Sequence, residues 1–487
     1  MFAPCHEQLG GDMVTTGSAR RRAQLQHPVI DGDGHYVDLR QPFHAYVRDH
    51  GAGELLEAYN PFAGAPMSAF GKPWGQQSAE ERRFTRNPAP PFWVPPGDTD
   101  YFATVTIPKL YYERLDEAGI DFAVLYPTVS FGLMHNDDDA ARRGLCHWFN
   151  EWAAEQYRPF ADRMTVAGLI PMHTPDEAIA ELEHIRRIGL KVGCIASYVA
   201  RPVPQFADAS PEVRHRIRYI DAYGIDSVHD YDPFWQRAGE LKVPLACHSP
   251  SMGFSDRASS SNYMFNHCGH FAASGDLLAR SLFFGGVTKR FPQLRIALLE
   301  GGVAVGVRLY GDLVARWKKR GGPNMARLNP DNIDRARYAE LIATYGSDLA
   351  RFSPDELASS LGTGRDAERD DFARSGARSS EDIRDQFCRN FYWGCEADDP
   401  LVGIAFDARV NPLGARVPAI MGSDIGHWDV PDFSQPLEEA WELVEHGLLD
   451  EEQFRDFVFT NQVKLYGVDP DFFRGTVIES AAAAVNS

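Results

Sequence analysis

From residue 108 onward the chain alternates between amphipathic stretches of helical period and short, almost wholly apolar runs. Residues 109–119 read as a helix and 121–126 (Asp-Phe-Ala-Val-Leu-Tyr) as a strand. The alternation continues with a helix over 138–160, a strand over 164–170, a helix over 175–189 stopped by its glycine, and a strand over 191–196. A helix over 233–241 leads to a strand ending at His248, and a helix over 277–291 to a strand over 295–299 that ends in Glu300-Gly301-Gly302. Strand–helix units of this size imply parallel strands. Eight of them closing on themselves make an α/β fold of the (β/α)8 barrel type. An open doubly wound sheet is disfavoured, because the polar residues that could form a site end the first, a middle and a late strand. A barrel gathers those ends at one mouth, whereas an open sheet spreads them.

Residues 389–395 and 417–423 are the expected seventh and eighth strands, with closing helices over 437–446 and 451–465. Two segments break the rhythm. Residues 61–100, after an amphipathic stretch over 43–59, are rich in proline, glycine and tryptophan, with Trp74, Trp93 and prolines 88, 90, 91, 95 and 96. The segment is too aromatic for a solvated linker and reads as an ordered excursion over a face of the core. Residues 318–385 are charged and punctuated by Ser359, Ser360, Gly362 and Gly364, with helical character over 334–343 and 354–361. They read as an inserted helical subdomain, dividing the barrel into 29–317 and 386–487. Residues 1–28 carry Arg20-Arg21-Arg22 and no apolar core of a signal peptide, and are expected to be a flexible tail.

A chain of 487 residues, 44% hydrophobic, is ample for a large core. Its net charge of −19, from 49 basic and 68 acidic residues, argues against nucleic acid and anionic membrane as partners. No apolar run is long enough to span a bilayer. Seven scattered cysteines without a Cys-x-x-Cys pair suit a reduced, cytoplasmic protein. The absence of a phosphate-binding Gly-rich loop and of a Gly-x-Ser-x-Gly elbow leaves nucleotide-driven and serine-based chemistry unsupported.

The chemistry concentrates at strand ends. Alternation along a strand points Asp33 and His35 of Val29-Ile-Asp-Gly-Asp-Gly-His35 the same way. His248 and Asp424 end two later strands. Each has a plainer reading. Asp-Gly-Asp-Gly is also turn chemistry, a lone histidine after a strand is usually structural, and Asp424 in Gly-Ser-Asp-Ile-Gly-His could be a helix cap. Together, two carboxylates and two imidazoles at strand ends make a site for a hard-to-borderline divalent metal, which can activate water or polarise a carbonyl. Cys247 should face away from that site.

The order of further phrases along the chain resembles the amidohydrolase superfamily, in the branch of aminocarboxymuconate-semialdehyde and resorcylate-type decarboxylases. The resemblance rests on residues 29–35, on Arg-Leu-Asp-Glu-Ala-Gly-Ile-Asp-Phe-Ala-Val-Leu-Tyr-Pro-Thr (114–128), and on Asn150 and Trp152. It rests also on Tyr231-Asp-Pro-Phe-Trp235, Arg290-Phe-Pro-Gln-Leu-Arg295, Gly422-Ser-Asp424 and Asn461-Gln-Val-Lys-Leu-Tyr-Gly467. It implies a distorted (β/α)8 TIM barrel with zinc, iron or manganese, one or two ions per subunit, held by Asp33, His35, His248 and Asp424. The chain departs from the family at the sixth strand, where a histidine is usual and Glu300 stands. Glu300 could be a base, a proton donor, a metal ligand or a residue steadying His248. The resemblance makes Asp424 a proton shuttle and His427 a substrate contact. His267, His270, Tyr126 and Tyr198 are further candidates for the mouth.

Two reactions on a small organic substrate follow from the resemblance. One is hydrolysis of an amide, ester, thioester or lactone; the other is non-oxidative decarboxylation of an aromatic or unsaturated acid. The missing sixth-strand histidine favours hydrolysis. A barrel without metal that only binds is the third reading, and the retained ligand set argues against it. A homodimer, with the insertion in its interface, is also implied.

Overall fold

The computed structural model describes residues 16–59, 74–89, 97–248, 259–359 and 370–486. Eight strands form one parallel sheet in chain order: β1 (Ile30–Tyr36), β2 (Phe122–Pro127), β3 (Met164–Leu169), β4 (Val192–Ile195), β5 (Leu245–Cys247), β6 (Ile296–Leu298), β7 (Phe391–Glu396) and β8 (Ala419–Gly422). Nearly every strand residue is buried, because the barrel interior lies on one side and a ring of helices on the other. The last seam, β8 to β1, is not a regular ladder. It closes through the Asp424 amide donating to the Asp33 carbonyl at 2.9 Å and the His35 amide donating to the Ile425 carbonyl at 2.7 Å. The Asp31 carboxylate completes it, accepting from the Ser423 amide at 2.9 Å and the Ser423 hydroxyl at 2.6 Å. The fold is therefore a distorted (β/α)8 barrel, as expected.

Helices stand where their caps put them. α1 (Gly17–Gln24) starts at Thr16, whose side chain accepts from the Ala19 amide. It lies within the stretch expected to be a tail, and Arg22 ties it to the barrel by donating to Asp121 at 3.0 Å. α2 (Asp139–Tyr157) starts on Asp138. α3 (Pro175–Ile188) starts on a Thr174–Glu177 capping box and ends at Gly189, in the left-handed region with φ of 95°. The helix expected over 277–291 instead runs as α4 (His270–Phe284) and resumes as a short turn, Val287–Arg290. The pair Gly285-Gly286, the second at φ of 76°, breaks it. α5 (Val303–Arg320) follows β6, and α6 (Arg335–Tyr345) and Pro354–Ser359 fall in the stretch expected to be an insertion. α7 (Ser380–Asn390) takes the first residues expected in the seventh strand. The closing helix expected over 451–465 is divided by a π turn, Asp456–Thr460.

Two features were not expected from the sequence. An antiparallel pair, Val199–Pro202 with Arg218–Asp221, fills the loop after β4. Within the 61–100 excursion, Ala79–Thr85 and Thr99–Thr106 are helical, while Trp93 and prolines 90, 91, 95 and 96 lie outside the described residues. The described part straps onto the loop after β5. Trp74 Nε1 donates to the Ser260 carbonyl at 3.1 Å, and the Ala89 amide to that of Ser259 at 2.8 Å. No described helix is long and apolar enough to cross a membrane.

Candidate active site and metal centre

Alternation points Asp33 and His35 of β1 the same way, whereas the register with β2 shifts between Asp31 and Gly34 and sets the Asp31 carboxylate beside Gly34. The glycines between them are there for space rather than for a turn. A Cβ on Gly32 would lie 2.4 Å from Gln462 Oε1, and one on Gly34 2.5 Å from Asp31 Oδ2. Glu300 and Asp424 follow β6 and β8 with φ of 54° and 49°, a left-handed backbone that costs energy in any residue with a Cβ. Such strain persists only where the surroundings enforce it, and it gathers at working sites.

These strand ends converge. His35 Nε2 lies 3.5 Å from Asp33 Oδ1, 3.2 Å from Glu300 Oε1, 3.3 Å from Asp424 Oδ1 and 3.1 Å from His248 Nε2. His248 Nε2 is 2.7 Å from Glu300 Oε1 and 3.7 Å from Asp33 Oδ1. His427 Nδ1 is 2.6 Å from Asp424 Oδ1 and 3.6 Å from Glu300 Oε1, and its ring stacks on that of His35 at 3.8 Å. Two overlapping ligand sets result, Asp33–His35–His248–Glu300 and His35–Glu300–Asp424–His427.

The set fits a divalent cation. Asp33 Oδ1, Glu300 Oε1 and Asp424 Oδ1 are buried and make no hydrogen bond of good geometry, although nitrogens stand close by. Donor atoms that crowd one point without pairing are arranged as ligands, not as hydrogen-bond partners. The electrostatics agree. Burial raises the Asp33 carboxyl above its ordinary value, with the Glu300 charge adding to it, against the histidines. Burial, followed by Glu300 and Glu396, raises Asp424 well above the carboxylate range. Burial would also raise Glu300, but His248 and His35 outweigh it and hold it well below. Burial would lower His35, but the Asp33 and Glu300 carboxylates raise it to about 9. Buried like charges of this kind are relieved by protons or by a cation. Carboxylate oxygens with imidazole nitrogens suit manganese, iron or zinc.

Of the residues expected at the mouth, Tyr126 packs its ring 5.5 Å from that of His248. His267 Nε2 is 3.9 Å from Asp429 Oδ2, and its ring lies 5.0 Å from that of buried His270. His270 packs on Phe271, which in turn meets His248 at 5.3 Å. Tyr198 is buried after β4 with its ring 6.0 Å from that of His135. Several neighbours escaped the sequence reading. Phe131 stacks flat on His248 at 4.4 Å and 17°. Glu396 ends β7, and burial and then the Glu300 charge push it well above the carboxylate range. Asp429 is raised by burial, against a hydrogen bond to Asp424. Glu396 carried the one available signal, an acidic residue ending an apolar strand, as Glu300 does. Phe131 lies in a 3-10 helix, Ser130–His135, whose sequence gives none.

A family model described as amidohydrolase matches residues 30–468. No curated protein matches the chain. Among solved structures, an amidohydrolase from Mycobacterium avium subsp. paratuberculosis K-10 is similar at 19% identity and a TM-score of 0.53, over 91% of this chain and 100% of that one. A dihydroxybenzoic acid decarboxylase from Polaromonas sp. JS666, solved with manganese and the inhibitor 2-nitroresorcinol, is similar at 13% identity and a TM-score of 0.50, over 91% of this chain and 98% of that one. At these identities the likeness is one of fold.

Proposed function

The chain belongs to the amidohydrolase family, and on that premise we propose that it is a metal-dependent, non-oxidative decarboxylase of an aromatic or unsaturated carboxylic acid. The observation that carries this reading is the division of labour inside one buried cluster. Asp33, His35, His248 and Glu300 bring one ligand atom each to a common point. Asp424 and His427, 2.6 Å apart, form a proton-handling pair beside it. In this reading the first four hold the cation. When bound, it would neutralise the carboxylates and hold the carboxylate and a neighbouring hydroxyl of the substrate.

The chain's own groups do the rest. Phe131 and Tyr126 wall the site with rings, which suits a flat substrate. Asp424, 2.6 Å from His427 Nδ1, donates its proton to the carbon that bears the carboxylate. The carbon–carboxylate bond then breaks, its electron pair returns to the unsaturated system, and carbon dioxide leaves. Asp424 regains a proton from solvent by way of His427. The expectation of hydrolysis rested on the missing sixth-strand histidine. A carboxylate 2.7 Å from His248 Nε2 and 3.2 Å from His35 Nε2 serves as a ligand in either reaction, so that departure no longer favours hydrolysis. The likeness to a decarboxylase of aromatic acids supports the choice. A homodimer built on the insertion belongs to the same reading, supported by its exposed Tyr345, Leu349 and Phe352.

The test is a substrate panel in deuterium oxide, with hydroxylated benzoates and unsaturated acids on one side and aryl esters, lactones and amides on the other. Carbon dioxide release with deuterium at the vacated carbon is expected. Faster turnover of an ester, lactone or amide without carbon dioxide release sinks the proposal.

A further inference from the structure

The outside of the barrel carries a second group of ligand-type side chains that this reaction does not use. On α2, His147 and Glu151 are four residues apart and share a face; on α3, Glu181 and His184 are three apart and do the same. The two helices pack together, and the four side chains meet between them. The imidazole rings of His147 and His184 lie 3.9 Å apart at 30°. His184 Nε2 is 3.5 Å from Glu151 Oε1, and His147 Nδ1 is 3.7 Å from Glu181 Oε2. One ligand atom each from His147, Glu151 and His184 fits within 4.8 Å of the others.

Two details distinguish this group from an ordinary polar surface. Glu181 is held in place: its Oε1 accepts from Asn150 Nδ2 at 2.7 Å, and Asn150 is itself fixed on the Leu169 amide and carbonyl at the end of β3. Oε2 is left facing His147. A fixed carboxylate set against the ring of a ligand histidine is how built metal sites are made. His184, for its part, is 4% exposed, and its Nε2 has no hydrogen-bond partner. A buried polar atom without a partner needs an explanation.

The geometry points to a second divalent-cation site on the outer face of the barrel, held by His147, Glu151 and His184, with Glu181 set against the His147 ring. Two imidazoles and a carboxylate suit zinc or a similar borderline cation better than magnesium or calcium. Bound there, the ion would staple α2 to α3. One residue opposes it. Arg187 donates to His184 Nδ1 at 3.0 Å, and a guanidinium can only donate. The cation-free ring therefore accepts at Nδ1 and carries its proton on Nε2. Coordination through Nε2 needs the other tautomer, so the exposed Arg187 must release the ring. Arg187 is thus a competitor of the ion.

The experiment is equilibrium dialysis of the full chain against zinc, with the bound metal counted by elemental analysis and thermal melts run with and without the ion. Relative to the unaltered chain, His184→Gln should lose one equivalent. His147→Gln alters only a half-exposed side chain and keeps the test valid should His184→Gln unfold. It should weaken the same equivalent by roughly 10–100-fold, the usual size for disturbing a metal's surroundings. Arg187→Ala should tighten it several-fold. Turnover should not change in His147→Gln. If His147→Gln binds as many equivalents as tightly as the unaltered chain, and its zinc-induced rise in melting temperature is unchanged, the site does not exist.

Discussion

Glu300 is the residue on which most turns. Its Oε1 stands within 3.6 Å of three ring nitrogens, those of His35, His248 and His427, and its backbone is held at φ of 54°. Removing its charge while keeping its shape should therefore act on two properties at once. Glu300→Gln is expected to fold and to lose turnover by at least roughly 10–100-fold, the usual cost of disturbing a metal's surroundings. The bound divalent ion should fall with it, because Gln offers a weaker ligand at the same place. Elemental analysis beside steady-state kinetics separates the cases. Lost turnover with full metal would make Glu300 a proton-transfer group; full turnover with full metal would leave it merely structural. The strand ends marked Asp33, His35, His248 and Asp424, and the family resemblance added Glu300 and His427. The sequence could not mark Phe131 or Asp429, which lie beyond the strand ends and reach the cluster only through the path of the folded chain. Nor could it tell which carboxyl would be raised and which lowered, because that depends on distances between strand ends.

At the scale of elements, the strands and most helices follow from periodicity, and the misreadings have local causes. Gly285-Gly286 ends α4 seven residues before the expected stop at 291, and α7 runs through Asn390 because the Phe391 amide still donates to the Phe387 carbonyl. Neither fact is written in the hydrophobic pattern. The seam between β1 and β8 is the element on which the site most depends, and Gly422 is its tightest point. A Cβ at Gly422 would lie 2.7 Å from Asp33 Cβ. Gly422→Ala should force the strands apart and destabilise the fold by about 1–3 kcal/mol, the usual cost of overpacking. Because Asp33 shifts with the strand, metal affinity should drop in the same variant. Chemical denaturation and metal titration check the two arms. An unchanged unfolding midpoint would show that the seam yields freely.

At the scale of the whole molecule, the chain carries a net charge of −19 and still gathers Asp33, Glu300, Glu396 and Asp424 around one mouth. Without a cation, that mouth must take up protons or tolerate repulsion at the place where β1, β6, β7 and β8 end. A bound divalent ion removes the conflict and binds only the folded chain. It should therefore raise stability by RT ln(1 + [L]/Kd), about 2.7 kcal/mol at a free concentration of 100 Kd. Exhaustive chelation is expected to lower the melting temperature and abolish turnover. Manganese or iron added back should restore both over the same concentration range. The range must coincide, because one site serves both properties. The zinc proposed between α2 and α3 lies outside the barrel and would change melting alone, so His147→Gln serves as the background in which the mouth is measured by itself. Full turnover and an unshifted melt in the demetallated chain would remove the cation from the mechanism and leave the buried carboxylates without a purpose.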